Sequence, residues 1–407
     1  GAQALAGTGG PAPQPAPTTT VDEPPYLDEP LTDWTRRIID APVRGNAAAE
    51  PGVVDELTAA LLAARDAWPV KTELDRVKVL FVADTDGQRS FGAVFHDGTR
   101  AQFVASYAPE DVPVATLATG QHGGRETGGL APLTLFGVNR SGFTVAIVPP
   151  GCSAERSTAT QVGPDSTLQH TWAAGGEYLV LPDPRVWLRV TCGGTLRELA
   201  DRALIGDPFR KIEPTPAERG EDLPDIARVL LRRWPTVPGL DVQRYRILWG
   251  GTPPGEHRPV VVGLGELGDG SVLVSAVAGT GDAMPVTAVH GAVPQQPPKD
   301  FPTARMTTAV AASDAMVTVR LPDEERIGYS ERLLVIAPPG ATRLRVTGGP
   351  VATVTLTDGV GVLTAPAPAT LTIEALDADG RTLATQTVAE PRTERFLAGQ
   401  GLVSEWG

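Results

Sequence analysis

Three glycines in the segment PVVVGLGELGDGSVLVS, residues 259–275, have the spacing of a dinucleotide-binding loop. Gly263, Gly265 and Gly268 match G-x-G-x-x-G and follow an apolar run. In a dinucleotide-binding fold, the third glycine opens a helix whose N-terminus holds the phosphate. Here Gly268 leads into an Asp-Gly pair and then into β-rich sequence. Asp-Gly between apolar strands is typical of a type I′ hairpin turn, so we predict a hairpin and assign no cofactor.

The two cysteines, Cys152 and Cys192, could form a disulfide or bind a metal ion. Neither has a second Cys or a His at the spacing of a zinc site, so we expect a disulfide. The loop that it would close has 40 residues (192 minus 152). Closing it would stabilise the fold by about 4 kcal/mol on the chain-entropy model. Two separate buried thiols in a reducing cytosol are the alternative.

The remaining polar motifs provide no catalytic or metal-binding set by spacing. The GG after His122 resembles the oxyanion loop of lipases, but the G-x-S-x-G element that those enzymes need is missing. The acidic segments 84–87 and 377–380 could offer oxygen ligands to calcium, but turn chemistry explains both. No two histidines lie within eight residues of each other, although the fold could still bring them together. The histidines are His96, His122, His170, His257 and His290.

Composition and charge exclude some classes of partner. The chain has 407 residues, of which 41% are hydrophobic and 20% charged, as in soluble globular proteins of two to four domains. Its net charge of -13 disfavours binding to phosphate backbones or anionic lipids, so we expect no nucleic-acid partner. The strong preference for Arg over Lys indicates a GC-rich bacterial genome.

The first 25 residues are rich in Pro, Ala, Thr and Gly, which predicts a flexible linker. Because the sequence starts at Gly1, we expect a missing upstream segment that was either a signal peptide or a transmembrane anchor. Membrane association would then occur only through that anchor. A cytosolic protein with a disordered tail is the alternative. Residues 31–40 predict a short helix that Trp34 and Ile38 dock onto the body, or else a membrane-proximal helix.

An internal duplication is the most informative feature of the sequence. Two amphipathic helical segments, 53–69 and 218–235, both end in Trp-Pro, at Trp68 and Trp234. We interpret each Trp as part of the core rather than as a ligand platform.

The matching continues after the two helical segments. Phe81 aligns with Trp249, and the Pro-Pro-Gly triplet that ends at Gly151 aligns with the one that ends at Gly340. The hairpin at 369–388 resembles the terminal hairpin of an immunoglobulin-like sandwich, which implies a sandwich fold for that part.

The predicted fold class is therefore α+β and predominantly β. It is a tandem duplication of one amphipathic helix on an antiparallel sheet, followed by a β-sandwich-like part. The predicted segments are a linker (1–25), a short helix and connection (26–52), the α+β and sandwich parts of the first repeat (53–130 and 131–205), an inter-repeat linker (206–222), the corresponding parts of the second repeat (223–300 and 301–392) and a tail (393–407).

Two functions fit this sequence. The first is a non-enzymatic extracytoplasmic module of a bacterial cell envelope, anchored upstream of residue 1 and used for binding, sensing or assembly with an unknown envelope protein or ligand. The second is an envelope hydrolase whose active site is assembled from residues distant in sequence. If the duplication serves function directly, a cleft between the two copies would be the natural ligand site. No catalytic, cofactor-binding or metal-binding residue is assigned, and Cys152 and Cys192 are the only site residues predicted.

Overall fold

A computed structural model shows a chain that is mostly β, with several antiparallel sheets and few helices. The ranges that the structure describes are 28–130, 134–138, 143–181, 187–200, 211–232, 234, 237–279, 284–285, 287–288, 309–323 and 329–390. We call residues 28–200 the first unit and residues 211–390 the second unit. The predominantly β prediction is confirmed, since antiparallel sheets make up most of both units.

The first unit forms three sheets. Its helices are α1 (Asp33–Asp40), α2 (Val53–Ala63) and α3 (Val114–Leu117), with 3-10 turns at Asn46–Ala49 and Arg65–Ala67. Sheet I comprises β1 (Glu29–Pro30), β2 (Arg76–Thr85), β3 (Gln88–His96), β4 (Arg100–Pro109) and β5 (Glu126–Gly129). Sheet II comprises β6 (Thr134–Val138), β7 (Phe143–Ile147) and β10 (Tyr178–Leu181). Sheet III comprises β8 (Ser153–Val162), β9 (Leu168–Gly176), β11 (Trp187–Cys192) and β12 (Thr195–Ala200).

Helix α2 covers one face of sheet I. Its apolar residues Leu57 and Leu61 are fully buried against Phe91 of β3, as residues four apart on one helix face can be. Trp68 closes this core, and its indole N–H donates to the carbonyl of Ala118 at 2.8 Å. The interpretation of Trp68 as a core residue is thereby confirmed.

Sheets I, II and III are stacked one on the next. Consecutive side chains of β7 point to different neighbouring sheets, because successive side chains of a strand face opposite sides. Val145 and Ile147 pack on sheet I, whereas Ala146 packs on sheet III. At these residues, β7 is therefore buried on both faces.

Helix α1 fastens the start of the first unit to this stack. A capping box between Thr32 and Thr35 begins the helix. Ile38 is buried against sheet I, and Trp34 packs on the core between sheets II and III. The predicted docking of this helix through Trp34 and Ile38 is thus confirmed.

The second unit also forms three sheets and carries one helix, α4 (Pro224–Arg232), in its described residues. Sheet IV comprises β13 (Arg219–Gly220), β14 (Arg244–Gly251), β15 (Val260–Glu266), β16 (Val272–Ala278), β17 (Met284–Pro285) and β19 (Ala309–Ala311). Sheet V comprises β18 (Thr287–Ala288), β20 (Val317–Pro322), β21 (Tyr329–Ile336) and β24 (Val360–Thr364). Sheet VI comprises β22 (Arg343–Thr347), β23 (Thr353–Thr355), β25 (Thr370–Leu376) and β26 (Thr382–Ala389).

Strands occur in the same spatial order in the two units. Sheet I contains β4-β3-β2 and sheet IV contains β16-β15-β14. Sheet II has the order β10-β7-β6, and sheet V has β24-β21-β20. Sheet III has β12-β11-β8-β9, and sheet VI has β26-β25-β22-β23. The pairing of β2 with β3 also shifts register between Val79 and Phe81, as that of β14 with β15 does between Ile247 and Trp249.

The glycines of the G-x-G-x-x-G segment lie in a hairpin, as predicted. Gly263 and Gly265 belong to β15, which pairs with β16 across the Asp-Gly turn. A Cβ atom on Gly263 would lie 2.8 Å from Leu230 and 3.0 Å from the Trp234 ring. One on Gly265 would lie 3.2 Å from the same ring. These glycines therefore make room for the tryptophan that closes the helix-facing core of sheet IV.

We predict that Gly263→Val destabilises the protein by about 3 kcal/mol, because overpacking a filled core displaces its neighbours. Urea denaturation followed by Trp fluorescence would measure the loss. Gly128→Val is the matched control, since a Cβ atom at Gly128 in β5 meets nothing within 4 Å. Equal stability of the two variants would contradict this explanation of the glycine.

The described part of the predicted inter-repeat linker is packed against the second unit. Ile212 and Ala217 contact the core around α4, and Arg219–Gly220 pair in parallel with β14 as strand β13. Residues 206–210 of that linker, like the predicted linker 1–25 and the tail 393–407, lie outside the described residues.

Candidate functional site

The predicted disulfide is present at the junction of sheets II and III. Cys152 follows the Pro-Pro-Gly turn after β7 and Cys192 ends β11, with their Cα atoms 4.5 Å apart. Both residues are buried in the core between the two sheets, and Trp34 packs on the same core. The disulfide prediction is confirmed, so the alternative of two separate thiols is set aside.

Replacing both cysteines by alanine should lower the free energy of unfolding by about 4 kcal/mol, because the closed loop constrains the unfolded chain. Urea denaturation of the oxidised protein and of the Cys152→Ala/Cys192→Ala variant would measure this difference. The oxidised protein treated with reductant under denaturing conditions is the control, and it should match the variant. Equal stability of the variant and the oxidised protein would contradict the prediction.

The junction between the two units is a shared core, where the sequence suggested a cleft. Trp187 of β11 is 2% exposed and packs with Trp234 and the residues of α4. Its indole N–H donates to the carbonyl of Pro238 at 3.1 Å. The amide of Ala312 also donates to Ser166 Oγ at 2.9 Å across this junction. At these residues the space between the units is therefore filled by side chains.

An aromatic group at the rim of this junction contains one of the predicted histidines. The His170 ring lies 5.0 Å from that of Trp172 and 4.8 Å from that of Trp187. Its Nδ1 is 3.0 Å from Thr160 Oγ1, and a Cβ atom on Gly239 of the second unit would touch Thr160. His170 thus helps to join the units, and its Nδ1 also lies 3.4 Å from Ser157 Oγ.

An ion pair on the same face of sheet III fixes this aromatic group. Arg189 donates to both carboxylate oxygens of Glu155 at 2.6 and 3.0 Å and lies 4.6 Å from the Trp172 ring centroid. The pairing with Arg189 holds the pKa of Glu155 below its ordinary value. Sheet VI has the reverse arrangement, with Arg345 on β22 and Glu374 on β25. The outer faces of the two sheets therefore carry the same cross-strand pair with exchanged charges.

A second recurring feature, which the sequence reasoning missed, is an Arg-Gly pair on the edge of each helix-bearing sheet. Arg44 bridges in parallel to Phe81, and Arg219 pairs in parallel with Trp249. A Cβ atom on the following glycine would lie 2.0 Å from the Val82 carbonyl oxygen in the first unit and 2.1 Å from that of Gly250 in the second. Both glycines also have positive φ, so the strand edge admits only glycine there.

The two arginines reach the same position in the next sheet. Arg44 donates to the carboxylate of Glu177, the residue before β10, at 2.8 Å. Arg219 donates to the carbonyls of Ala337 and of Gly359, the residue before β24. Each guanidinium thus ties the helix-bearing sheet of its unit to the sheet that follows.

The other residues considered from sequence have structural surroundings. Burial lowers the pKa of His96, whose Nδ1 has no hydrogen-bond partner in the described part of the chain. Glycines 123 and 124 pack on the Tyr107 ring. In the two acidic turns, Asp84 binds Arg89 and Asp377 binds Arg381. His122 and His257 are exposed, and His290 lies outside the described residues.

Metal-binding clusters and membrane-spanning helices are absent from the described ranges. His, Cys, Asp and Glu side chains there nowhere form a group of three or more that could hold a metal ion. None of the helices in those ranges has the length and apolar content that crossing a bilayer requires.

Ion pairs made by a buried carboxylate hold both ends of the described fold. At the start, Asp28 is 3% exposed and binds Lys71 and Arg100. At the end, Glu390 binds Arg320, and both are almost fully buried. None of these three pairs was expected from sequence, because 43, 72 and 70 residues separate the partners (71 minus 28, 100 minus 28 and 390 minus 320).

Asp28→Asn should lower the free energy of unfolding by about 2 kcal/mol at neutral pH, the usual contribution of hydrogen bonds to a charged group. Burial raises the pKa of Asp28, but hydrogen bonds from Lys71 and Arg100 outweigh it and leave the pKa below its ordinary 3.8. This stabilisation is therefore present above pH 3.8 and is lost as the pH falls through the lowered value. Chemical denaturation at several pH values would measure it, with exposed Asp111→Asn as the control. A difference between wild type and Asp28→Asn that stays constant down to pH 2 would count against the pair.

No protein-family model matches the chain, and no curated protein matches it.

Proposed function

We propose that this chain is a non-enzymatic, extracytoplasmic module of a bacterial cell envelope, built from two tandem copies of one unit and used for binding or assembly. The buried Cys152–Cys192 disulfide is the observation that supports an extracytoplasmic location. Disulfides form and persist in oxidising compartments and are rare in the reducing cytosol.

The tandem duplication rests on corresponding contacts as well as on strand order. Three sheets follow in the same order in each unit, with the same register shift in the helix-bearing sheet. The Arg-Gly pair recurs at the edge of that sheet, and its arginine reaches the residue before β10 or β24. The last two sheets of each unit would be the immunoglobulin-like sandwich part. Two antiparallel sheets that share one buried core support this assignment.

The outer faces of sheets III and VI differ in polarity. The outer face of sheet III carries Trp172 and Trp187, which pack on the second unit. Sheet VI carries on its outer face a row formed by Thr347, Thr372 and Thr387, on three neighbouring strands. In tandem-repeat proteins a polar outer face on the last repeat keeps the array soluble. Sheet VI would therefore end the array.

A binding or assembly role also fits the contacts of the arginine side chains, which hold the fold together. Many of the arginines in the described ranges bind carboxylates or carbonyls that join neighbouring strands and sheets. Such groups are committed to holding the fold, which suits a rigid scaffold that presents a surface. The alternative of an envelope hydrolase would need an active site assembled from other residues.

The experiment that tests this proposal is thiol trapping in cell fractions. Native cells would be treated with a membrane-permeant alkylating agent before lysis, and the chain would be recovered from the cytosolic and extracytoplasmic fractions. The proposal predicts oxidised, unmodified Cys152 and Cys192 in the extracytoplasmic fraction. Reduced, alkylated cysteines in the cytosolic fraction would overturn it. An ester, glycoside and peptide hydrolysis panel on the purified protein would separate the module from a hydrolase.

A further inference from the structure

In the first unit, one carboxylate is held jointly by a guanidinium and a turn amide. Glu177 Oε2 accepts a hydrogen bond from Arg44 Nη2 at 2.8 Å. Its Oε1 accepts one from the amide of Gly151, the last residue of the Pro-Pro-Gly turn, at 3.3 Å. The Arg44 hydrogen bond, assisted by the Gly151 amide, holds the pKa of Glu177 below its ordinary value. This arrangement is a carboxylate site whose ligand belongs to the chain itself.

The second unit has the same guanidinium and the same turn, but glycine at the place of the carboxylate. The amide of Val148 donates to the carbonyl of Glu177, and the amide of Ala337 donates to the carbonyl of Gly359. These matching bonds put Gly359 at the position of Glu177. The turn that ends at Gly340 corresponds to the one that ends at Gly151, since in each the residue after the glycine donates to the carbonyl of the first proline.

The charge of Arg219 is uncompensated in the described part of the chain. Its two hydrogen bonds go to carbonyls, and burial lowers its pKa, as expected for a cation that has lost water without gaining an anion. The nearest acid in sequence to Gly359 is Asp358, which is exposed and shows no contact with Arg219 among the described residues. A guanidinium has five N–H donors, so Arg219 keeps donors for a further acceptor.

We propose that Arg219 and the amide of Gly340 form a carboxylate-binding site that takes an acidic side chain of a partner macromolecule. The partner would supply from outside what Glu177 supplies in the first unit. A carboxylate there would gain charge-assisted hydrogen bonds from Arg219, the stronger class of hydrogen bond. The site rests on the proposed equivalence of the two units, and it deepens the proposed binding role by naming the chemistry of the partner.

Acetate is the first probe, because it carries the carboxylate alone. The unfolding midpoint of the purified protein would be measured as acetate replaces chloride at constant ionic strength. A ligand that binds only the native state raises the midpoint and saturates. We expect a saturable rise for the wild type and none for Arg219→Met. Identical responses of the two proteins would overturn the proposal.

Glu177→Ala is the matched variant in the first unit. It empties the site at Arg44, so acetate should restore part of the stability that the substitution removes and give a larger total rise than in the wild type. In case Arg219→Met fails to fold, the Gly340 amide of the labelled wild-type protein gives an independent readout by NMR. Its resonance should shift on acetate addition, and a fixed resonance would overturn the proposal.

A blocked tripeptide, acetyl-Gly-Glu-Gly-amide, distinguishes a protein side chain from a small free carboxylate. We expect this peptide to bind at least as tightly as acetate and its Gln analogue not to bind. Binding of acetate without binding of the Glu peptide would overturn the assignment to an acidic side chain. These measurements use purified protein, so they succeed or fail independently of the compartment that thiol trapping identifies.

Discussion

Replacing Arg320 by methionine is expected to lower the free energy of unfolding by about 3–5 kcal/mol, the usual cost of leaving one charge of a buried pair without its partner. Arg320 is 1% exposed, in the space between sheets V and VI. It binds Glu390 and donates to the carbonyls of Ser330 and Ala365 at 3.0 and 2.8 Å. Removing the guanidinium therefore leaves a buried carboxylate and two carbonyls without that donor.

The double variant Arg320→Met/Glu390→Gln is the control for this prediction. It removes both charges, so it should recover a large part of the loss, because the desolvation cost of the carboxylate disappears with it. Urea denaturation of wild type, both single variants and the double variant gives the coupling energy directly. Additive effects of the two substitutions would show that the pair does not act as a unit.

Replacing Trp187 by alanine should cost about 3–5 kcal/mol, the usual range for truncating a buried Trp, and should also uncouple the two units. The side chain is 2% exposed and contributes to the core that contains α4 of the second unit. Its hydrogen bond to Pro238 crosses the same junction. Because this core links the units, the wild type should unfold in one cooperative thermal transition and the variant in two.

Differential scanning calorimetry measures both parts of the Trp187 prediction. Trp172→Ala is the matched control, since Trp172 lies at the rim of the same core and is only half-buried. We expect that control to lose less stability and to keep a single transition. A wild type with two resolved transitions, or a Trp187→Ala variant as stable as Trp172→Ala, would contradict the shared core.

Features set by short stretches of chain could be predicted from the sequence. The hairpin at Gly263 follows from an Asp-Gly turn between apolar strands, and each Trp-Pro pair marks the end of a helical segment. The disulfide followed from simple counting, because Cys152 and Cys192 had no other partner. The packing role of the glycines in β15 was not predictable, since it depends on the Trp234 ring, which fills the space that a Cβ atom would need.

Features that depend on contacts between distant segments escaped prediction. The Arg-Gly pairs lie 24 and 15 residues before the two tryptophans (68 minus 44 and 234 minus 219), so an alignment anchored on Trp68 and Trp234 does not match them. The shared core at Trp187 forms between two units and leaves no periodic signal of its own. Charge and proline content at 206–222 suggested a linker, but Ile212 and Ala217 supply apolar anchors to the second unit.

The most direct test of the central claim, that the two units are equivalent, is hydrogen–deuterium exchange of the wild type, Arg44→Met and Arg219→Met. Equivalent units should give paired local responses. Arg44→Met should raise exchange in the peptide covering Glu177–Leu181, and Arg219→Met should raise it in the peptide covering Gly359–Thr364, each with little change in the other unit. If either substitution leaves exchange at its own strand unchanged, or raises exchange mainly in the opposite unit, the two arginines do not hold equivalent positions and the tandem account is wrong.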